Sequence, residues 1–386
     1  MKTSKKIMAL ALTGALAASS VSVVSVSAEP KKATIGVCFY QDTGKAPNAT
    51  KAFLESLADT LNVEFKYGTF TQTDEAANLT KVQELIASGV DGIIGTMDLG
   101  TQSILSECEA AGIYYAGYLC DFDTSYTTAY DDVFGNSNFL GTVVDGHAPD
   151  DVNIGDQFFD SLIEYNERNA DAPLTHVSMA VFPVWAFPAQ TTAAEQFVAD
   201  VEEYNKTAET PITVDPLEEV DVLNFAPLDS TYFSKHPDTQ AIMSFAAGTS
   251  FVYPTMVSAG VDSDIKLFTT GADGGEETNF GSAGTQTYQQ IAFTGAESIV
   301  YPLVLMLNKI NDTEFADMPE KAERISTELY IVNSDEDMEL YVNSLYNTAD
   351  AANAAYTPED VLNMTAFGNP DATYAGLVEA VQTLTY

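Results

Sequence analysis

The sequence predicts an α/β protein of two Rossmann-like lobes, each a parallel sheet dressed with helices, joined by a multi-strand hinge and followed by a helical carboxy-terminal extension. Three observations lead there. From residue 34 short apolar runs alternate with amphipathic stretches, the rhythm of βαβ units. That rhythm breaks at an irregular polar stretch, 121–151, and then restarts. No Gly/Ser linker or low-complexity tract separates the halves, which suits lobes tied by several strands.

Taken in order, residues 1–28 read as a signal peptide. Lys2, Lys5 and Lys6 form a basic start, 7–18 is apolar, and Val26, Ser27 and Ala28 make a small-residue cleavage site. Serines at 19, 20, 22, 25 and 27 interrupt the apolarity that a membrane span of about 20 residues requires. No cysteine stands at its end, so a lipid anchor there is not expected. The chain is expected to be exported, periplasmic or associated with the outer cell surface, with no membrane insertion after cleavage.

The run TIGVCFY at 34–40 is the first strand, and 46–61 is a helix with Phe53, Leu54, Leu57 and Leu61 at helical spacing. A strand at 63–69, a helix at 75–88 closed by Gly89, a strand at 92–96, a helix at 101–111 closed by Gly112 and a strand at 113–119 complete the first series. The second series has a helix at 152–168, a strand at 177–182, a helix at 190–206, and strands at 212–214, 241–245 and 266–270. A long apolar helix follows at 295–310, with Pro302 kinking or restarting it. The last strand is 329–332, and helix signals recur at 338–346, 358–363 and 374–384. Lobe 1 is thus 31–147 with 291–327, lobe 2 is 148–290 with 328–335, and 336–386 is the extension. Whether that extension packs on one lobe or both is open.

The formal charge of −40 repels phosphate backbones and anionic lipid, which argues against nucleic acid and electrostatic membrane partners. Cys38, Cys108 and Cys120 show no metal spacing and are read as buried free thiols. There is no GxSxG, HExxH or GxxxxGK[ST] motif, and His147, His176 and His236 are scattered in sequence. The segment from Asp151 to Asp156 has acidic spacing but lacks the remaining calcium ligands, and reads as a helix start. Neither catalysis, a cofactor nor a metal is expected.

Several segments resemble the type I periplasmic-binding-protein superfamily, in particular the ribose- and galactose-type sugar receptors. TDEAANLTKVQELIASGVDGIIGTMD (73–98) is similar to that family's helix, turn and strand ending in an acidic residue, and AAGIYYAGYLCD (110–121) to the next strand. DDVNIGDQFFDSL (150–162) resembles the opening of the second lobe, KLFTTGADG (266–274) a Gly-Asp-Gly turn, and 289–295 the spacing of a hinge glutamine and glycine. The resemblance implies the type I periplasmic-binding-protein fold, a small-molecule ligand between the lobes, and an ABC transporter permease as partner.

In open α/β sheets ligands sit beyond the carboxyl ends of the strands, so the candidates follow strands. They are Phe39, Tyr40 and Gln41 after the first, Asp98 after the third, Trp185 and Phe187 after 177–182, Phe245 at the end of 241–245, Asp273 in the Gly-Ala-Asp-Gly turn, and Gln289 at the hinge. Ionised Asp98 and Asp273 would accept hydrogen bonds from hydroxyls, while the aromatic residues would stack on an apolar face. For Asp98, capping of the next helix is an alternative; of Phe39 and Tyr40, one faces the core. Phe245-Ala246 stands where the sugar receptors carry Asn-Asp, and Ala193 where they often carry Arg. These departures predict a cleft less polar and more aromatic than a monosaccharide site. The function expected is a solute-binding protein of an ABC importer, taking a sugar or another small neutral compound, aromatic ones included; a ligand sensor for a membrane receptor kinase and an exported α/β enzyme are the alternatives.

Overall fold

The computed structural model describes residues 30–71, 73–122, 130, 132–145, 147–148, 152–184, 187–220, 226–273, 275–281 and 286–384. The expected signal peptide and Trp185 lie outside the described residues.

The first series runs β1 (Ala33–Phe39), α1 (Lys45–Leu61), β2 (Val63–Thr69), α2 (Glu75–Ala87), β3 (Gly92–Gly95), α3 (Thr101–Ala111), β4 (Tyr114–Tyr118) and β5 (Phe139–Asp145). A small antiparallel ladder of β6 (His147–Ala148) and β7 (Val152–Asn153) leads into the second. That series runs α4 (Ile154–Arg168), β8 (His176–Val181), α5 (Pro188–Asn205), β9 (Thr213–Val214), β10 (Glu218–Glu219), α6 (Tyr232–Lys235), β11 (Ala241–Ser244), α7 (Gly248–Phe251), α8 (Tyr253–Ala259), β12 (Lys266–Thr270), α9 (Glu276–Asn279) and β13 (Tyr288–Phe293). The chain then returns through a 3₁₀ turn (Ala296–Ile299) to α10 (Val300–Ile310), β14 (Arg324–Thr327) and β15 (Tyr330–Val332). It ends in α11 (Asp335–Asn343), α12 (Leu345–Thr348), α13 (Pro358–Asn363) and α14 (Tyr374–Gln382).

One sheet has the order β14-β5-β4-β3-β1-β2 and is parallel throughout. The other has the order β10-β8-β11-β12-β13-β15, parallel except for the antiparallel edge pair β13 and β15. β9 and β10 pair with the two ends of β8, and Pro216 between them, lacking an N–H, interrupts what would be one edge strand. β13 belongs to the second sheet through Phe293, so the return to the first lobe comes after Phe293 rather than at 291.

The strands β5, β6, β7, β10, β13 and β14 were not expected. The apolar run of β5 was masked by its Asn- and Gly-rich flanks, and Gly141 within it holds φ +119°, which only glycine adopts readily. Gly112 ends α3 at φ +69°, as its position after the apolar periodicity foretells. Pro302 falls in the first turn of α10, where its missing N–H breaks no helical bond; the helix restarts rather than kinks. Residues 300–308 of α10 are all buried, between the first sheet and α14. Each of Leu303, Val304 and Leu307 contributes roughly 1.5–3 kcal/mol there.

The extension packs on both lobes. Tyr341 and Tyr346 join the apolar cluster of the second sheet, whereas Leu345, Val361, Tyr374, Leu377 and Val381 join that of the first. The three cysteines are free and buried, and burial pushes the Cys38 and Cys108 thiols up to about 12.

Candidate functional site

The parallel registers bring the candidate loops to one end of each sheet. β1 stops at Phe39, whose side chain turns into the core beside Tyr67 at 6.1 Å between ring centres. Tyr40, one residue on, is therefore the member of the pair that is partly exposed. Its backbone N–H donates to Thr96 Oγ1 at 2.6 Å, pinning the ends of β1 and β3 together, and its hydroxyl accepts from Gln41 Nε2 at 3.4 Å.

Asp98 does not cap α3. The residue at that position is Gly100, and Thr101 instead bonds the Asp98 backbone carbonyl. Its carboxylate is left to accept from the Tyr130 hydroxyl, and burial, opposed by that bond and aided by nearby Asp121, holds it above the usual carboxylate range. Asp121 in turn accepts from Arg324 Nε at 2.6 Å, and the same Nε reaches the Asp121 carbonyl at 2.8 Å. The loop carrying Asp121 is left-handed at Leu119 (φ +56°) and Phe122 (φ +46°), conformations costing about 1–3 kcal/mol each for such residues. Phe122 is nonetheless fixed there by edge-on contact with Tyr130 and Phe139, both at 5.4 Å.

On the second lobe, Gly271 (φ +81°) turns the chain after β12 and delivers Asp273, which accepts from Ser250 Oγ at 3.1 Å. Though open to water, Asp273 is surrounded closely enough that desolvation, with Glu276 nearby, keeps its carboxyl raised against the Ser250 bond. Phe187 is 43% exposed and lies against Phe182 at 4.9 Å, which meets Phe251 at 5.1 Å. Of the expected pair Trp185 and Phe187, only Phe187 lies among the described residues.

Two candidates are placed elsewhere. Phe245 is buried in the second core, stacked on Phe158 at 4.6 Å and edge-on to Phe197, because its strand alternation turns it toward α4 and α5. Gln289 is buried near the amino end of β13, since Tyr288 pairs with Leu267 at the start of β12 while Ala292 pairs with Thr270 at its end. In a parallel sheet that end is remote from the crevice, and its Nε2 donates to Gln286 O at 2.7 Å. Phe293 occupies the crossing instead, against Tyr346 at 4.4 Å and Tyr330 at 5.2 Å.

Sequence reasoning missed Tyr130, Arg324, Lys45 and the extension's Tyr341 and Tyr346. The Tyr346 hydroxyl is driven far up by burial, with Asp273 of one lobe and Tyr40 of the other both acting on it. One signal for Lys45 was legible: a cation opening a helix, where the dipole disfavours it.

Outside this region His176 and His236, far apart in sequence, converge on Asp215. The contacts are 2.9 and 3.0 Å, with Ser178 Oγ donating to the same carboxylate at 2.6 Å. No group of three or more metal-ligating side chains is assembled among the described residues.

No protein-family model matches the chain, and no curated protein does. Solved structures do. An ABC transporter solute-binding protein from Agrobacterium vitis, bound with alpha-D-tagatopyranose, superposes with a TM-score of 0.57 at 15% identity, covering 84% of this chain and 99% of its own. One from Burkholderia graminis, in complex with D-arabinose, gives 0.57 at 14% identity over 80% and 97%. Another, from Bacillus halodurans with bound myo-inositol, gives 0.52 at 15% identity over 81% and 98%. The chain has the type I periplasmic-binding-protein fold.

Proposed function

We propose that this chain is an exported solute-binding protein that closes two lobes over a small, largely neutral ligand and presents it to an ABC transporter permease. One observation carries the reading. The carboxyl ends of two parallel sheets bear complementary groups: Tyr40, Gln41 and Asp98 on the first lobe, Phe187 and Asp273 on the second. Such an arrangement gives polar groups that fix orientation and an aromatic face that covers, as small-molecule sites require. The sugars bound by proteins of the same fold make polyols and cyclic sugars the first compounds to try, with nucleosides and small aromatics next. Phe245 and Ala193 both lie in the second-lobe core, so exposed Phe187 alone favours a ligand with one apolar face.

The test is a thermal-shift and fluorescence screen, with Trp185, the one tryptophan, as the reporter. A ligand at about 100 times its Kd adds about 2.7 kcal/mol to stability. A compound that raises Tm, shifts the emission and is recovered unchanged supports the reading. Silence across the panel from a protein folded by circular dichroism defeats it, and chemical turnover of a bound compound replaces it with catalysis.

A further inference from the structure

Lys45 begins α1 on the first lobe, and its partners come from elsewhere. Its ammonium lies 2.8 Å from Glu277 Oε1 and 3.3 Å from Glu276 Oε2, both on α9 of the second lobe. It also donates to Tyr341 Oη of the extension at 2.6 Å. The group is largely shielded: the Lys45 side chain is 16% exposed, that of Glu276 not at all, and that of Glu277 30%. Beside it Ala46 packs into the apolar cluster that holds Tyr341, Tyr346 and Ala272. Burial works to raise the Glu277 carboxyl, yet the Lys45 bond and charge win and leave it below its ordinary value.

We infer that Lys45, Glu276, Glu277 and Tyr341 form an interlobe clasp that biases the chain toward its closed arrangement before any ligand arrives, with the carboxy-terminal extension as its third member. The inference rests on the reading of this protein as a hinged binder. A cation at a helix amino end is unfavourable by itself, so its position is explained by the carboxylates across the crevice. Withdrawing Lys45 leaves Glu276 in a dry site without that cation, a situation that opening and rehydration relieve. The open form gains accordingly, and the ratio of closed to open molecules is expected to fall by at least about tenfold.

The experiment needs no ligand. Spin labels at Gln83→Cys and Glu202→Cys, exposed sites on α2 and α5, report the interlobe distance by pulsed electron resonance, and the native thiols are buried. The full chain should give one short, narrow distance, and Lys45→Met a longer and broader distribution. Glu277→Gln, a milder change that covers the case of Lys45→Met misfolding, should give an intermediate one. Lys45→Glu combined with Glu277→Lys should recover part of the short distance. Identical distributions for the parent and a folded clasp variant overturn the inference, as does a parent already open. If a screened compound binds while those distributions coincide, the clasp fails and the proposed function stands.

Discussion

At the carboxyl ends of the first sheet the chain sets two hydrogen-bonded pairs, Asp98 with Tyr130 and Asp121 with Arg324, near strained backbone; at the same ends of the second it sets Phe182, Phe187 and Phe251, and Asp273 bonded to Ser250. The sheets share a plan, and their surfaces do different work. Hydrogen bonds weaken steeply with misalignment, so the groups making them need a rigid frame. Aromatic faces tolerate a ligand that slides or rotates. Under the proposed function, the first lobe would orient a ligand and the second would cover it.

Three substitutions probe this division, from the largest effect to the smallest. Phe245→Ala on the second lobe should cost about 3–5 kcal/mol of stability in urea unfolding, because it empties a stacked core site. A purified Phe245→Ala protein with parental stability and lost binding would return Phe245 to the crevice. Next, Asp98→Asn should weaken a ligand found in the screen by about 10–100-fold by calorimetry, since hydrogen bonds to charged groups contribute about 1.5–3 kcal/mol. Phe187→Ala should weaken it by about 3–10-fold, the range of an aromatic contact. The reverse order would make the second lobe the orienting one.

The smallest effect concerns pH. Asp200 on α5 is raised to about 6, by burial first and then by Asp156 of α4 beside it. In the unfolded chain it ionises near 4, so between about pH 4 and 6 the folded state holds the extra proton and stability falls as pH rises. Asp200→Asn should raise Tm by a few degrees at pH 7.5 and leave it unchanged at pH 4, measured by calorimetry. Asp215 acts oppositely: burial works to raise it, but Ser178 and the two histidines outweigh that and hold it low. The stability it contributes is complete above the usual carboxylate range and is lost as pH falls through its depressed value.

The rhythm of the two lobes was legible because parallel strands buried on both faces read as apolar runs, and helices closed by Gly89 and Gly112 punctuate them. β5 was hidden by its flanks. Asp98, Asp273, Tyr40 and Phe187 were legible as residues that follow strands, a rule needing no knowledge of pairing. Phe245 stands at a strand end where the resembling receptors carry Asn-Asp, and strand alternation turns it into the core instead. Gln289 failed for another reason: spacing was matched without the register, and the ladder shifts between Leu267 and Phe268. Contacts such as Lys45 with Glu277, or Asp121 with Arg324, join distant segments, and no local pattern announces them.

The passage from α11 to α12 sets a limit on motion. Tyr341 is anchored in the cluster of the second lobe and Leu345 in that of the first, and Ser344 alone separates the two helices. One residue spans about 3.8 Å, so this tether carries almost no slack. Under the proposed hinge motion, widening the crevice would have to rotate the backbone at Ser344 and draw Tyr346 of α12 from the second-lobe cluster, so the tail would limit how far the lobes part.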